Sequence, residues 1–181
     1  MRQKFLSISL AFLLIAASML SGCKKDKQIY SGTDTIDNVL VPSGQTFAIF
    51  GFSFELGRVI SNLEPPGPDI TIHLRTDISG VTGKYFDTDT FVESFALAGE
   101  YGSATEAKTA FDDLVDVGSP TWFSTAEDLE ENQVWLFRTT EGNYVKLRLT
   151  DLTVDEQQDP PYIQVTFQWR IQPDGSSSFS K

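Results

Sequence analysis

Gln133–Thr150 reads QVWLFRTTEGNYVKLRLT and decides how the rest of the chain folds. Two runs rich in β-formers flank Thr140-Glu141-Gly142-Asn143, a turn sequence whose glycine suits a hairpin. Past the turn, Val145, Leu147 and Leu149 alternate with Tyr144, Lys146 and Arg148. The first set is expected in the core and the second in solvent. After an acidic, proline-containing loop the pattern returns from Tyr162 to Ile171. Ile163, Val165, Phe167, Trp169 and Ile171 form its inner row, opposite Gln164, Thr166, Gln168 and Arg170. Alternation with one face buried is the habit of antiparallel strands, so a three-stranded meander follows, closed by a turn at Pro173-Asp174-Gly175.

Upstream, Thr46–Phe54 (TFAIFGFSF) is apolar on both faces and reads as a central strand. Glu55-Leu56-Gly57-Arg58 turns it into Val59-Ile60-Ser61, and Pro65-Pro66-Gly67-Pro68 ends that hairpin. Asp69–Arg75 alternates again, with Ile70, Ile72 and Leu74 on one face and Thr71, His73 and Arg75 on the other. Residues 76–102 read as loops with one or two strands. A helix opens at Ser103, whose pairing with Glu106 makes a capping box before Ala107, Ala110, Phe111, Leu114 and Val115. Gly118 and Pro120 stop it. A second box, Ser124-Thr125-Ala126-Glu127, predicts a single helical turn. The fold class is therefore mainly β with one or two helices, a β-rich α+β chain built on antiparallel sheets.

The first residues carry a different message. Arg2 and Lys4 precede an uncharged run, Phe5 to Leu20, that ends in Leu20-Ser21-Gly22-Cys23. This is a lipoprotein signal peptide over 1–22: small residues admit the peptidase, and the Cys23 thiol takes the diacylglycerol. The run falls short of the ~20 apolar residues of a spanning helix, whereas two or more acyl chains, palmitate among them, attach a protein stably. Residues 23–44 are polar and turn-rich and read as a flexible tether, leaving 45–181 as one β-rich domain. Lys24 stands where an aspartate retains some lipoproteins in the inner membrane, so the expected location is the outer membrane, lipid-anchored through Cys23 and exposed at the cell surface.

Composition excludes several chemistries. The signal takes two of the 14 basic residues and none of the 25 acidic ones, leaving a formal charge of −13 on the mature chain. Such a surface repels phosphate backbones, so no nucleic acid is expected as a partner. With Cys23 committed to lipid, no disulfide, thiolate nucleophile or sulfur-ligated metal is available. Both methionines leave with the signal, and His73 is the only imidazole.

Read together, FSFELGRVIS, DITIHLRTDISG, ENQVWLFRTTEGNYVKLRLTDL and YIQVTFQWRIQPDGSSSF resemble the HmuY family of Gram-negative surface lipoproteins. The similarity spans most of residues 46–179, and its most specific part is Phe137–Arg148. The resemblance implies a predominantly β fold and, in the best-known branch, capture of haem for delivery to an outer-membrane receptor. Members that hold haem use pairs of histidine or methionine side chains, a set this mature chain lacks. Five-coordinate binding through His73, or through a tyrosinate at Tyr85, Tyr101, Tyr144 or Tyr162, is what remains for haem or porphyrin.

Catalytic alternatives find little material. No G-x-S-x-G elbow accompanies His73, and the pairs Asp112-Asp113 and Glu130-Glu131 read as solvated acidic faces. Asp87-Thr88-Asp89 lacks the continuation of a calcium loop, and zinc would have to rely on carboxylates. The chain is not expected to be an enzyme. Two readings stand: a haem- or porphyrin-binding module with at most one axial ligand, His73, and a surface lipoprotein that binds a peptide, a glycan or a receptor partner.

Overall fold

The computed structural model describes residues 30–88 and 92–179. Ten strands and one helix make up these residues. In chain order they are β1 (Ser31–Asp37), β2 (Leu40–Ser43), β3 (Thr46–Ser53), β4 (Arg58–Ser61), β5 (Thr71–Asp77) and β6 (Gly80–Asp87). There follow β7 (Phe95–Glu100), the helix α1 (Ala104–Asp113), β8 (Gln133–Arg138), β9 (Tyr144–Asp155) and β10 (Tyr162–Gln172). Every pairing is antiparallel.

The meander β8-β9-β10 forms as the alternation dictates and is the centre of a five-stranded sheet, order β1-β10-β9-β8-β7. Gly142, at φ 85°, supplies the left-handed residue of its first turn. The inner row packs against a three-stranded sheet, β2-β3-β4, and the ribbon β5-β6. Phe52 and Phe54 of the β3 hairpin reach into it: Phe52 lies 5.4 Å from Phe167 and 5.1 Å from Trp169, and Phe54 lies 5.4 Å from Phe137. These mostly edge-on and tilted rings fill the core, and the one polar group among them, the Trp169 indole N–H, has a partner in Asp34. Gly51 lets β3 come close to the start of β5, because a Cβ there would stand 2.2 Å from the Ile70 carbonyl oxygen.

Three expectations change. Ser31–Asp37, read as part of a flexible tether, is a full edge strand of the main sheet, in register with β10 from Ser31↔Arg170 to Asp37↔Gln164. Its polarity is that of an edge strand, which needs few buried side chains: Ile36 enters the core, and Asp34 accepts the Trp169 indole N–H at 2.7 Å. The Ser124-Thr125-Ala126-Glu127 segment forms no helical turn: it bends at Ser124 and Thr125 between isolated bridges Phe95↔Phe123 and Phe86↔Ala126, where two sheet edges satisfy its backbone. The apolar density of Thr46–Phe54 marks the middle strand of the smaller sheet, but only one face of its first half is covered: Ala48 is buried and Phe47 is exposed.

The outer face of the meander is also less open than alternation implies. α1 lies across it, capped at Ser103, whose hydroxyl accepts the Glu106 N–H at 3.3 Å, and it ends before Val115, which is exposed. Lys146, expected in solvent, is 2% exposed. Its ammonium donates to the carbonyls of Phe111 and Leu114 at 2.5 and 2.9 Å and sits 4.7 Å from the Phe111 ring centre. A cation thus satisfies the carbonyls at the helix C-terminus, where the helix dipole favours positive charge.

Candidate functional site

The surface feature with the character of a binding site lies where β7 leaves the core. Phe123 is held by reciprocal backbone bonds with Phe95, N to O at 2.8 Å and O to N at 2.9 Å. Phe123 is nonetheless 54% exposed. Beside it opens a groove of about 440 Å³, floored by Trp135 and Leu97 and walled by Trp122 and Phe123. Ser124, Thr125, Glu93 and Glu127 supply its polar rim. A mostly apolar cleft of this size with a few polar groups at its margin suits a small ligand or one unit of a larger one.

The groove is built on fixed parts. Trp135 donates its indole N–H to Gln133 at 3.0 Å, and Gln133 in turn donates to Glu100 and to the Asp128 carbonyl. Trp122 carries the Arg138 guanidinium 5.1 Å above its ring and Tyr144 at 6.1 Å, so Phe123 offers the more open aromatic face. Glu127 is paired with Arg75 at 3.0 Å and accepts from Thr125, and these partners hold its carboxyl below the ordinary value.

The residues singled out from the sequence lie elsewhere. His73 is half-buried on β5, its Nε2 2.8 Å from the Thr71 hydroxyl and its ring stacked on Tyr85 at 5.4 Å. The Arg75 guanidinium sits 5.1 Å from the same Tyr85 ring, which makes this an ordinary packed sheet surface. Tyr101 covers Gly99, Tyr144 leans on Trp122, and the Tyr162 phenol accepts from Gln164. Burial, helped by Asp37, pushes the Tyr162 phenol above its ordinary value, away from tyrosinate. Of these candidates His73 and Tyr85 are the two brought into contact. Cys23 and Asp89 lie outside the described residues. Among the described residues no cluster of histidine, cysteine, aspartate or glutamate could hold a metal ion.

A second, smaller cavity of about 60 Å³ lies by Ser53, Glu55, Asp69, Arg138 and Glu141. Asp69 accepts the Phe54 N–H at 2.7 Å. Burial pushes its carboxyl up to about 7 against the pull of that bond, and the charges of Glu141 and Glu55 add to the rise. Glu55 ties the β3-β4 turn to the β8-β9 turn by accepting from Thr139 and Asn143.

Haem can be tested against these surroundings. None of the residues lining the groove offers an imidazole, phenolate, thiolate or thioether, and His73 is not among them. Glu93 and Glu127 stand at the rim, where haem would bring two propionates of like charge. The groove does not fit an axially ligated haem. The signal for it in the sequence was Trp122-Phe123, an aromatic pair outside any periodic element, between Pro120 and the acidic run.

No family model matches the chain, and no curated protein matches it. Among solved structures, it is similar to the crystal structure of the Tannerella forsythia apo HmuY analog (TFO), over 83% of this chain and 100% of that chain, at 13% identity and a TM-score of 0.40.

Proposed function

We propose that this chain is a lipid-anchored binding protein of the outer membrane, held at the cell surface through Cys23, that takes an uncharged glycan into the groove beside β7 and catalyses no reaction. The carrying observation is Phe123, pinned through its backbone and exposed through its ring. A rigid, solvent-facing aromatic surface binds with little loss of entropy. The apolar face of a sugar ring stacks on it, while its hydroxyls meet Ser124, Thr125, Glu93 and Glu127 at the rim. Rim carboxylates and an acidic chain disfavour anionic ligands, haem included.

The test is retention on immobilised neutral and acidic glycans, beside a haemin titration. Neutral glycans are expected to be retained, and Phe123→Ala to lose them while its circular dichroism is unchanged. Haemin is expected to give no saturable Soret shift. A saturable shift abolished by His73→Ala would overturn the reading in favour of haem capture, and retention of acidic glycans alone would sink the ligand class.

A further inference from the structure

The two carboxylates at the rim of the groove beside β7 are not equivalent. Glu127 has both oxygens engaged: the Arg75 guanidinium donates to them at 3.0 and 3.1 Å, and the Thr125 hydroxyl donates to one of them at 2.9 Å. Glu93 is exposed, and its carboxylate has neither a hydrogen bond nor an ion pair among the described residues. Its two oxygens are therefore open to a ligand, whereas those of Glu127 are shared with the protein.

Backbone bonds fix where the open carboxylate stands relative to the aromatic wall. The Glu93 carbonyl accepts from the Arg138 guanidinium at 2.8 Å. The next residue, Ser94, is buried, donates its N–H to the Phe123 carbonyl at 2.8 Å and accepts the Arg138 N–H at 2.9 Å. The root of Glu93 is thus clamped between β8 and Phe123, and only its side chain has freedom to lose on binding.

The shape of a stacked sugar says what such a pair can select. A pyranose lying flat on an aromatic ring turns its axial C–H bonds toward that ring and projects its equatorial hydroxyls sideways, toward the rim. Two equatorial hydroxyls on adjacent carbons can donate one to each oxygen of a carboxylate, in charge-assisted bonds stronger than those to a neutral acceptor. Loss of one hydroxyl breaks the pair.

We infer that Glu93 is the specificity-determining residue of the groove, accepting from two adjacent equatorial hydroxyls of a pyranose stacked on Phe123. The ligand class is then glycosides with such a pair, as in glucose. This inference rests on the glycan reading above and adds to it which sugars are taken and which carboxylate selects them.

The test titrates methyl β-glucopyranoside and its 3-deoxy analogue into the protein and follows tryptophan fluorescence, since Trp122 and Trp135 line the groove. Removing the 3-hydroxyl destroys both adjacent ring pairs, whichever of them meets Glu93. Saturable binding of the parent glycoside is expected, weakened at least about fivefold by the missing hydroxyl in the wild type and by as much in Glu93→Gln with the parent sugar. In Glu93→Gln the two sugars should bind within about twofold of each other, a coupling that an indirect effect on the fold would not produce. Equal binding of both sugars by the wild type, undiminished binding by Glu93→Gln, or a variant that keeps the full difference between the sugars overturns the inference. So does the absence of saturable binding of the glycoside when neutral glycans are still retained and Phe123→Ala still loses them, a result that leaves the glycan reading standing. Failure of glycan retention itself sinks that reading and this inference with it.

Discussion

The two faces of the five-stranded sheet use the same strands to opposite ends. Inward, Val145, Leu147 and Leu149 and the row from Ile163 to Ile171 meet Phe52, Phe54 and Phe86 in one continuous apolar core. Outward, the same strands carry Lys146, Arg148, Gln168 and Arg170 beneath a single helix. A small apolar cluster, Ala96, Leu136, Val117 and Phe179, lies toward β7 and β8. The inner face is stabilised by area removed from water, the outer one by polar groups finding named partners. Burial can therefore be equal on the two faces while its physical cause differs: Lys146 is as inaccessible as Leu136, but hydrogen bonds hold it there.

Mutation of each face measures that difference. Phe167→Ala should show the largest loss, ~3–5 kcal/mol in urea unfolding, because Phe52, Phe54 and Phe86 all pack on its ring and cannot collapse together. A cost under about 1 kcal/mol would mean that the inner face is loosely packed.

Asp69, bonded to the Phe54 backbone at the edge of that core, should give the next effect, and it depends on pH. The folded chain keeps the Asp69 proton up to pH about 7, whereas the unfolded chain releases it near 3.8. Folding then takes up a proton between these values, so stability declines as pH rises through that window, by on the order of 2–4 kcal/mol. Asp69→Asn, which keeps an acceptor for Phe54 and removes the charge, should flatten this slope. An unchanged slope would assign the pH dependence to other groups.

On the outer face, Lys146→Met keeps the aliphatic stem and strands the Phe111 and Leu114 carbonyls, at a cost of ~1–3 kcal/mol. A neutral result would show that water replaces the ammonium and that the outer face is held by apolar contact after all. Ser103→Ala should cost about 1 kcal/mol by removing the N-cap of the helix that covers this face. A loss equal to that of Phe167→Ala would make α1 part of the main core.

The meander, the hairpin at Gly57, the helix start at Ser103 and the strand holding His73 were all legible from alternation and capping, which are local properties. β1 was not, because a polar edge strand looks like a linker until its partner is known. The bridged bend at Phe123–Ala126 was not either, because the capping pattern there competes with two sheet edges that lie elsewhere in the sequence. The candidate site was the least legible part. His73 stood out by rarity, yet rarity says nothing about position, and the structure spends it on Thr71 and Tyr85.

By itself, then, the sequence determined the strands of the meander, the hairpin at Gly57 and the strand holding His73, which row of the meander meets the core, and a strongly acidic composition. All of these follow from spacing and residue type along a single segment. Only the tertiary structure decided that Leu97, Trp122, Phe123 and Trp135 share one groove and that Lys146 and Arg170 share one cavity. Both gatherings depend on which strands pair and where the helix lies, and those are choices made between segments distant in the chain.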